Sequence, residues 1–124
     1  MNYKGVIIEE SLGDSSILKK VKIVSTSIEK VTPKHNTPWV KQWTFHTIEI
    51  PEKKGDEFAE ICSWAFDPTH PQWFIDYKND CYHFIIFNGQ IFKVEISKPE
   101  QYKEVTDYGI SIGIPEYQLD FSPQ

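Results

Sequence analysis

Apolar and polar residues alternate through the first half of this chain, and this alternation is the pattern of half-buried β-strands. Runs rich in β-branched residues predict three strands, at residues 3–10, at about residues 20–31 and at residues 41–50. Pro33 and Pro38 lie between the second and third runs, and a central strand does not tolerate them. We therefore expect a proline-containing loop between these two strands.

The spacing of apolar residues changes to that of an amphipathic helix between residues 52 and 66. The residues that recur at i, i+3, i+4 and i+7 are Phe58, Ile61, Cys62, Ala65 and Phe66. A second helix is predicted after Ser97, because Ser97 and Glu100 have the spacing of a capping box. Gly109 is expected to end that helix in the left-handed conformation, and the last residues are expected to pack on the domain as an irregular tail.

Two turn signals, Asn79-Asp80 and Asn88-Gly89, separate apolar runs within residues 73–96 and predict three consecutive antiparallel strands. Asn-Gly is the stronger signal, since the two central residues of a type I′ turn need positive φ. Two-residue turns place Asp76 opposite His83, and a four-residue loop at Asn79 would keep the same parity.

This register assigns the side chains of the three strands to two faces. One face carries Asp76, His83 and the apolar residues Phe74, Ile85, Phe92, Val94 and Ile96. The other face carries Trp73, Ile75, Tyr77, Tyr82, Phe84, Ile86 and Ile91. Both faces are too apolar to lie open in water, so we expect helices to cover one, and further strands, a partner subunit or a ligand to cover the other.

The predicted order β-β-β-α-β-β-β-α indicates a single α+β domain over residues 1–124. We expect a meandering antiparallel sheet of about six strands, either curved or partly closed into a barrel. Two helices are expected on one side of it.

Composition is typical of a soluble globular protein, with 40% hydrophobic and 25% charged residues. No apolar run approaches the ~20 residues needed to span a bilayer. The first five residues lack the apolar core of a secretory signal, so a cytoplasmic location and no membrane association are expected.

The charge pattern argues against a nucleic-acid partner. All 13 basic residues are Lys, the net charge is −5 and the isoelectric point is about 5.3. Arg supplies the planar fork that suits phosphate and base edges, so its absence lowers the expectation of nucleic-acid binding or phosphoryl transfer.

The best candidate for chemistry is Asp76 beside His83, since a carboxylate that binds an imidazole fixes its tautomer and raises its basicity. A structural cross-strand pair explains the same pattern without any function. Cys81 lies two residues from His83 on the same face, and this separation along a strand is large for a direct thiol–imidazole contact. His46 completes a conceivable pocket with His83 and Asp76.

Metal and cofactor chemistry find no support in the motifs of the sequence. The four histidines are His35, His46, His70 and His83, and their spacing is not that of a metal site. Phosphate loops and the common hydrolase motifs are absent. We therefore expect neither a metal nor a cofactor, while an enzyme without a local signature stays an alternative.

The aromatic residues offer a second candidate, because Trp73, Tyr77, Tyr82 and Phe84 share one predicted face. Aromatic side chains anchor both cores and interfaces. The sequence thus predicts a small non-catalytic binding module, which uses this face for a protein partner or for homodimerisation. A small apolar ligand is a further possibility, and the alternative is a small enzyme or ligand carrier whose pocket contains His83, Asp76 and His46.

Overall fold

The computed structural model describes residues 1–31, 41–69 and 73–119, apart from the side chain of Tyr117. The strands are Tyr3–Ile8 (β1), Lys22–Lys30 (β2), Gln42–Ile50 (β3), Phe74–Lys78 (β4), Tyr82–Phe87 (β5) and Gln90–Glu95 (β6). The helices are Gly55–Ser63 (α1) and Tyr102–Ser111 (α2).

The six strands form one antiparallel sheet in the order β2-β3-β1-β4-β5-β6. β2 pairs with β3, and β4, β5 and β6 follow one another as a meander. β1 lies between these two groups and is antiparallel to both β3 and β4. The predicted α+β class, the six strands and the two helices are confirmed, and the sheet is open rather than closed into a barrel.

The turn at Asn88-Gly89 sets the register between β5 and β6 as predicted. Gly89 has a φ of 76°, which glycine adopts at little cost. Phe87 lies opposite Gln90, and the pairing continues without a shift along both strands. A local turn preference is therefore sufficient to align this hairpin.

The loop between β4 and β5 is longer than a two-residue turn. Four residues, 79–82, lie between the paired residues Lys78 and His83, and Asn79 Oδ1 accepts hydrogen bonds from the backbone N–H groups of Cys81 and Tyr82 at 2.9 Å each. Asp76 consequently lies opposite Ile85 and not opposite His83. The parity is unchanged, so Asp76 and His83 still share a face, as diagonal neighbours.

The two helices pack on opposite faces of the sheet. α1 packs on the face that carries Tyr77 and Phe84. α2 packs on the other face, where its Val105 contacts the cluster that contains Ile85 and Phe87. The expectation of both helices on one side is wrong, because both faces of the β4–β6 meander are apolar and each needs its own cover.

The described part of the C-terminal tail, which ends at Leu119, packs on the domain as predicted, but the helix does not end at Gly109. It continues to Ser111, and Gly113 follows with a φ of 97°. A Cβ atom at Gly109 would lie 2.6 Å from Leu119 Cδ2, so glycine at this position allows the tail to pack closely. Ile114 and Leu119 are buried in the same cluster as α2.

The start of α2 also differs from the predicted capping box. A 3₁₀ turn at Pro99–Gln101 precedes the helix, and Lys98 is the capping residue of that turn. No side chain bonds to the cap, so Ser97 and Glu100 do not form the reciprocal pair. The proline at the first position of the turn needs no hydrogen-bond partner for its nitrogen.

Candidate binding cleft

A cleft of about 360 Å³ opens on the face of the sheet that α2 covers only over β4–β6. We call it the β1–β4 cleft. Its lining is apolar and aromatic apart from one carboxylate and one amide. The lining residues are Val6, Ile8, Trp43, Phe45, Trp73, Phe74, Asp76 and Gln118.

The central position of β1 assembles this cleft. Ile8 lies opposite Phe45 of β3, and Val6 lies opposite Asp76 of β4, so residues of three strands share one face. Gly5 allows the close approach of β1 and β4, since a Cβ atom there would lie 2.1 Å from the carbonyl oxygen of Asp76. The cleft therefore depends on a pairing between strands that are far apart in the sequence.

Asp76 is held by a chain of hydrogen bonds that begins in α2. The Tyr102 hydroxyl lies 2.9 Å from His83 Nδ1, and His83 Nε2 lies 2.7 Å from Asp76 Oδ2. The His83 side chain is 3% exposed and the Asp76 side chain is 38% exposed. This chain of hydrogen bonds thus runs from the core to a carboxylate that solvent can reach.

The protonation states of the three groups determine the direction of these hydrogen bonds. An ionised carboxylate only accepts hydrogen bonds, so His83 Nε2–H donates to Asp76. When the ring is neutral, its Nδ1 accepts from the hydroxyl of Tyr102. Burial raises the pKa of Tyr102, and the nearby charge of Asp76 raises it further, so the phenol stays protonated and can donate.

The predicted Asp76–His83 pair is therefore present, and its geometry is that of a positioned carboxylate. Both ring nitrogens of His83 are engaged and the ring is buried, so the imidazole does not reach a solute in the cleft. Cys81 lies in the exposed loop before β5, and it is not the partner of either ring nitrogen. A Cys-His pair is not formed in this arrangement.

His46 lies on the opposite face of the sheet from Asp76 and His83. Its Nδ1 is 2.8 Å from Thr26 Oγ1, and its Nε2 is 2.8 Å from Glu9 Oε1. The imidazole thus connects β2 and β3 to the 3₁₀ turn after β1. The structure brings two of the three predicted pocket residues together and leaves the third elsewhere.

The predicted aromatic face lies beneath α1. Tyr77 and Phe84 are fully buried, and Trp73 is almost so. Tyr82 is half-buried, and Lys93 Nζ lies 4.5 Å from the centre of its ring. Of these four side chains, Trp73 is the one that also lines the β1–β4 cleft.

Within residues 1–31, 41–69 and 73–119, no three His, Cys, Asp or Glu side chains are grouped as metal ligands. His35 and His70 lie outside these ranges. No helix in the described part of the chain combines the length and the apolar character that crossing a membrane requires.

No protein-family model matches this chain, and comparisons with the curated proteins and with the solved structures give no match either.

Sequence reasoning missed most of the cleft lining. The alternation along β3 does place Trp43 and Phe45 on one face, but no sequence signal joins them to Asp76 on β4. Val6 and Ile8 look like ordinary strand residues until β1 is seen between β3 and β4.

Proposed function

We propose that this protein is a non-catalytic binding module, and that the β1–β4 cleft receives an apolar group of a protein partner. One observation carries the proposal: an aromatic cleft of about 360 Å³ remains open beside a half-exposed carboxylate. This volume is at the lower end for ligand sites, so it suits one large side chain. Aromatic residues such as Trp43 anchor interfaces because they bury large areas with few rotors to freeze.

Binding explains the arrangement better than catalysis. His83 is buried and has both nitrogens engaged, so its role is to position Asp76. The remaining lining is apolar apart from the amide of Gln118, and it offers no nucleophile. The alternative, an enzyme whose pocket contains His46 together with His83 and Asp76, would need all three residues on the same face of the sheet.

A protein partner is favoured because the surface around the cleft is open and extended. Val6 at the cleft is 39% exposed, and all nine residues of β2 at the adjacent edge of the sheet are exposed. A partner can therefore insert one side chain and also cover the neighbouring strands. Specific protein interfaces are broad in this way, with an apolar centre and a polar rim.

The first test uses the protein labelled with 5-fluorotryptophan and ¹⁹F NMR. N-acetyl-norleucine N-methylamide, a blocked apolar residue, serves as the probe. We expect it to shift the resonances of Trp43 and Trp73, which line the cleft. Trp64 is 75% exposed and does not line the cleft, so its resonance is the internal control for non-specific association.

Two lysine substitutions make a matched pair for this test. Val6→Lys places a long side chain directly opposite Asp76, where it occupies the cleft, and should abolish the probe-dependent shifts. Ile28→Lys changes a residue that is 65% exposed on the other face, and should leave the shifts unchanged. Absent shifts in the unsubstituted protein, or shifts that Trp64 shares, would refute the proposal.

Light scattering coupled to size-exclusion chromatography then asks whether the partner is a second copy of the chain. A dimer that Val6→Lys dissociates and Ile28→Lys preserves would identify the cleft as a self-association surface. A monomer at all concentrations would assign the cleft to a different protein.

A further inference from the structure

We infer that the β1–β4 cleft selects a basic side chain, Lys or Arg, of the partner protein, with the aliphatic stem against the apolar walls and the cation at Asp76. The inference rests on the proposed function and specifies the chemistry of what the cleft receives. The carboxylate is the one charged group among the described lining residues. An anion at the edge of an apolar cleft complements a cation that is carried on an apolar stem.

The carboxylate is prepared for such a ligand. Asp76 Oδ2 accepts the hydrogen bond from His83, while Oδ1 receives none from the described part of the chain. Because Tyr102 and the sheet hold the imidazole, the carboxylate is ordered before a ligand arrives, which lowers the entropic cost of binding.

The lysines nearest along the strands do not neutralise this charge. Lys4 and Lys78 lie opposite each other, two residues along each strand from the Val6–Asp76 pair. Both are exposed, neither lines the cleft, and neither forms an ion pair with Asp76. Neither of these two lysines therefore competes with a ligand cation for the carboxylate.

The test compares blocked amino acids of matched length on the fluorotryptophan-labelled protein. N-acetyl-lysine N-methylamide has the stem of the norleucine probe plus a cation, and its ε-acetylated form keeps the stem and removes the charge. We expect the lysine probe to bind about tenfold more tightly than either neutral probe, as for a partly exposed charge-assisted hydrogen bond. The arginine derivative should behave like lysine, and a blocked glutamate should bind most weakly.

Asp76→Asn is the matched variant, because the amide keeps the shape of the side chain and can still accept from His83. We expect this variant to lose the preference for the lysine probe over the norleucine probe. In the unsubstituted protein, added salt should also reduce the preference for the lysine probe, since salt screens the exposed part of the ion pair.

The outcomes separate the two proposals. Binding of the norleucine and lysine probes with equal affinity in the unsubstituted protein would overturn the inference and leave the binding cleft intact. No response of Trp43 and Trp73 to any probe would overturn both. A preference for lysine that persists in Asp76→Asn would also overturn the inference, since the cation would then be recognised elsewhere.

Discussion

Replacing Tyr102 by Phe tests whether the hydrogen-bond chain to Asp76 contributes to stability. The substitution removes the hydroxyl that lies 2.9 Å from His83 Nδ1 and keeps the ring, whose centre is 5.7 Å from that of the imidazole. His83 Nδ1 then loses this partner in an almost fully buried site, and an unpaired buried polar group costs roughly 1–3 kcal/mol. Burial of the more apolar phenyl ring offsets part of this cost, so we expect the free energy of unfolding to decrease by about 1–2 kcal/mol.

Urea unfolding, followed by far-UV circular dichroism, measures this loss. For a chain of this size, about 1–2 kcal/mol corresponds to a decrease of roughly 0.5–1 M in the midpoint, with an unchanged slope. Tyr108→Phe is the control on the same helix. The ring of Tyr108 packs 5.0 Å from that of Phe87, and its hydroxyl makes no hydrogen bond within the described part of the chain.

The control substitution should change the free energy of unfolding by less than about 0.5 kcal/mol. Equal effects of Tyr102→Phe and Tyr108→Phe would refute the reasoning, because the loss of stability would then come from removing any hydroxyl of this helix and not from breaking the hydrogen-bond chain to Asp76. An effect of Tyr102→Phe below about 0.5 kcal/mol would show that His83 finds another partner.

Three further predictions concern the sheet and its buried groups. Gly5→Ala should destabilise the fold by about 1–3 kcal/mol in the same urea assay, because its methyl group meets the Asp76 carbonyl; a neutral substitution would contradict that close approach. A thiol reagent should modify Cys81 rapidly and Cys62 only as the protein unfolds, since Cys62 is buried and burial raises its pKa to about 12; two fast equivalents would contradict this. Burial also raises the pKa of Tyr77, so the phenol loses its proton at a lower pH in the unfolded state than in the folded state. The free energy of unfolding should therefore fall above pH ~10, by about 1.4 kcal/mol per pH unit for each such group. Tyr77→Phe should make this decrease less steep.

The β4–β6 meander shows how far local sequence signals reach. Asn88-Gly89 needs positive φ, so it determined one hairpin with its full register. Asn79-Asp80 determined the parity but not the loop length, because the side chain of Asn79 accepts hydrogen bonds from two backbone N–H groups of a longer loop. Since a shift by two residues keeps every side chain on its face, Asp76 and His83 still form their hydrogen bond, although they are no longer directly opposite each other.

The sequence by itself therefore determined the class of the fold, the strands and helices, the two faces of the meander and the Asp76–His83 pair. All of these follow from side-chain periodicity and from turns between neighbouring residues. The insertion of β1 between β3 and β4, and the placement of the helices on opposite faces, were decided by the tertiary structure. These depend on contacts between distant residues, such as Gly5 against the backbone of Asp76, and only they bring Val6, Phe45 and Asp76 into one cleft.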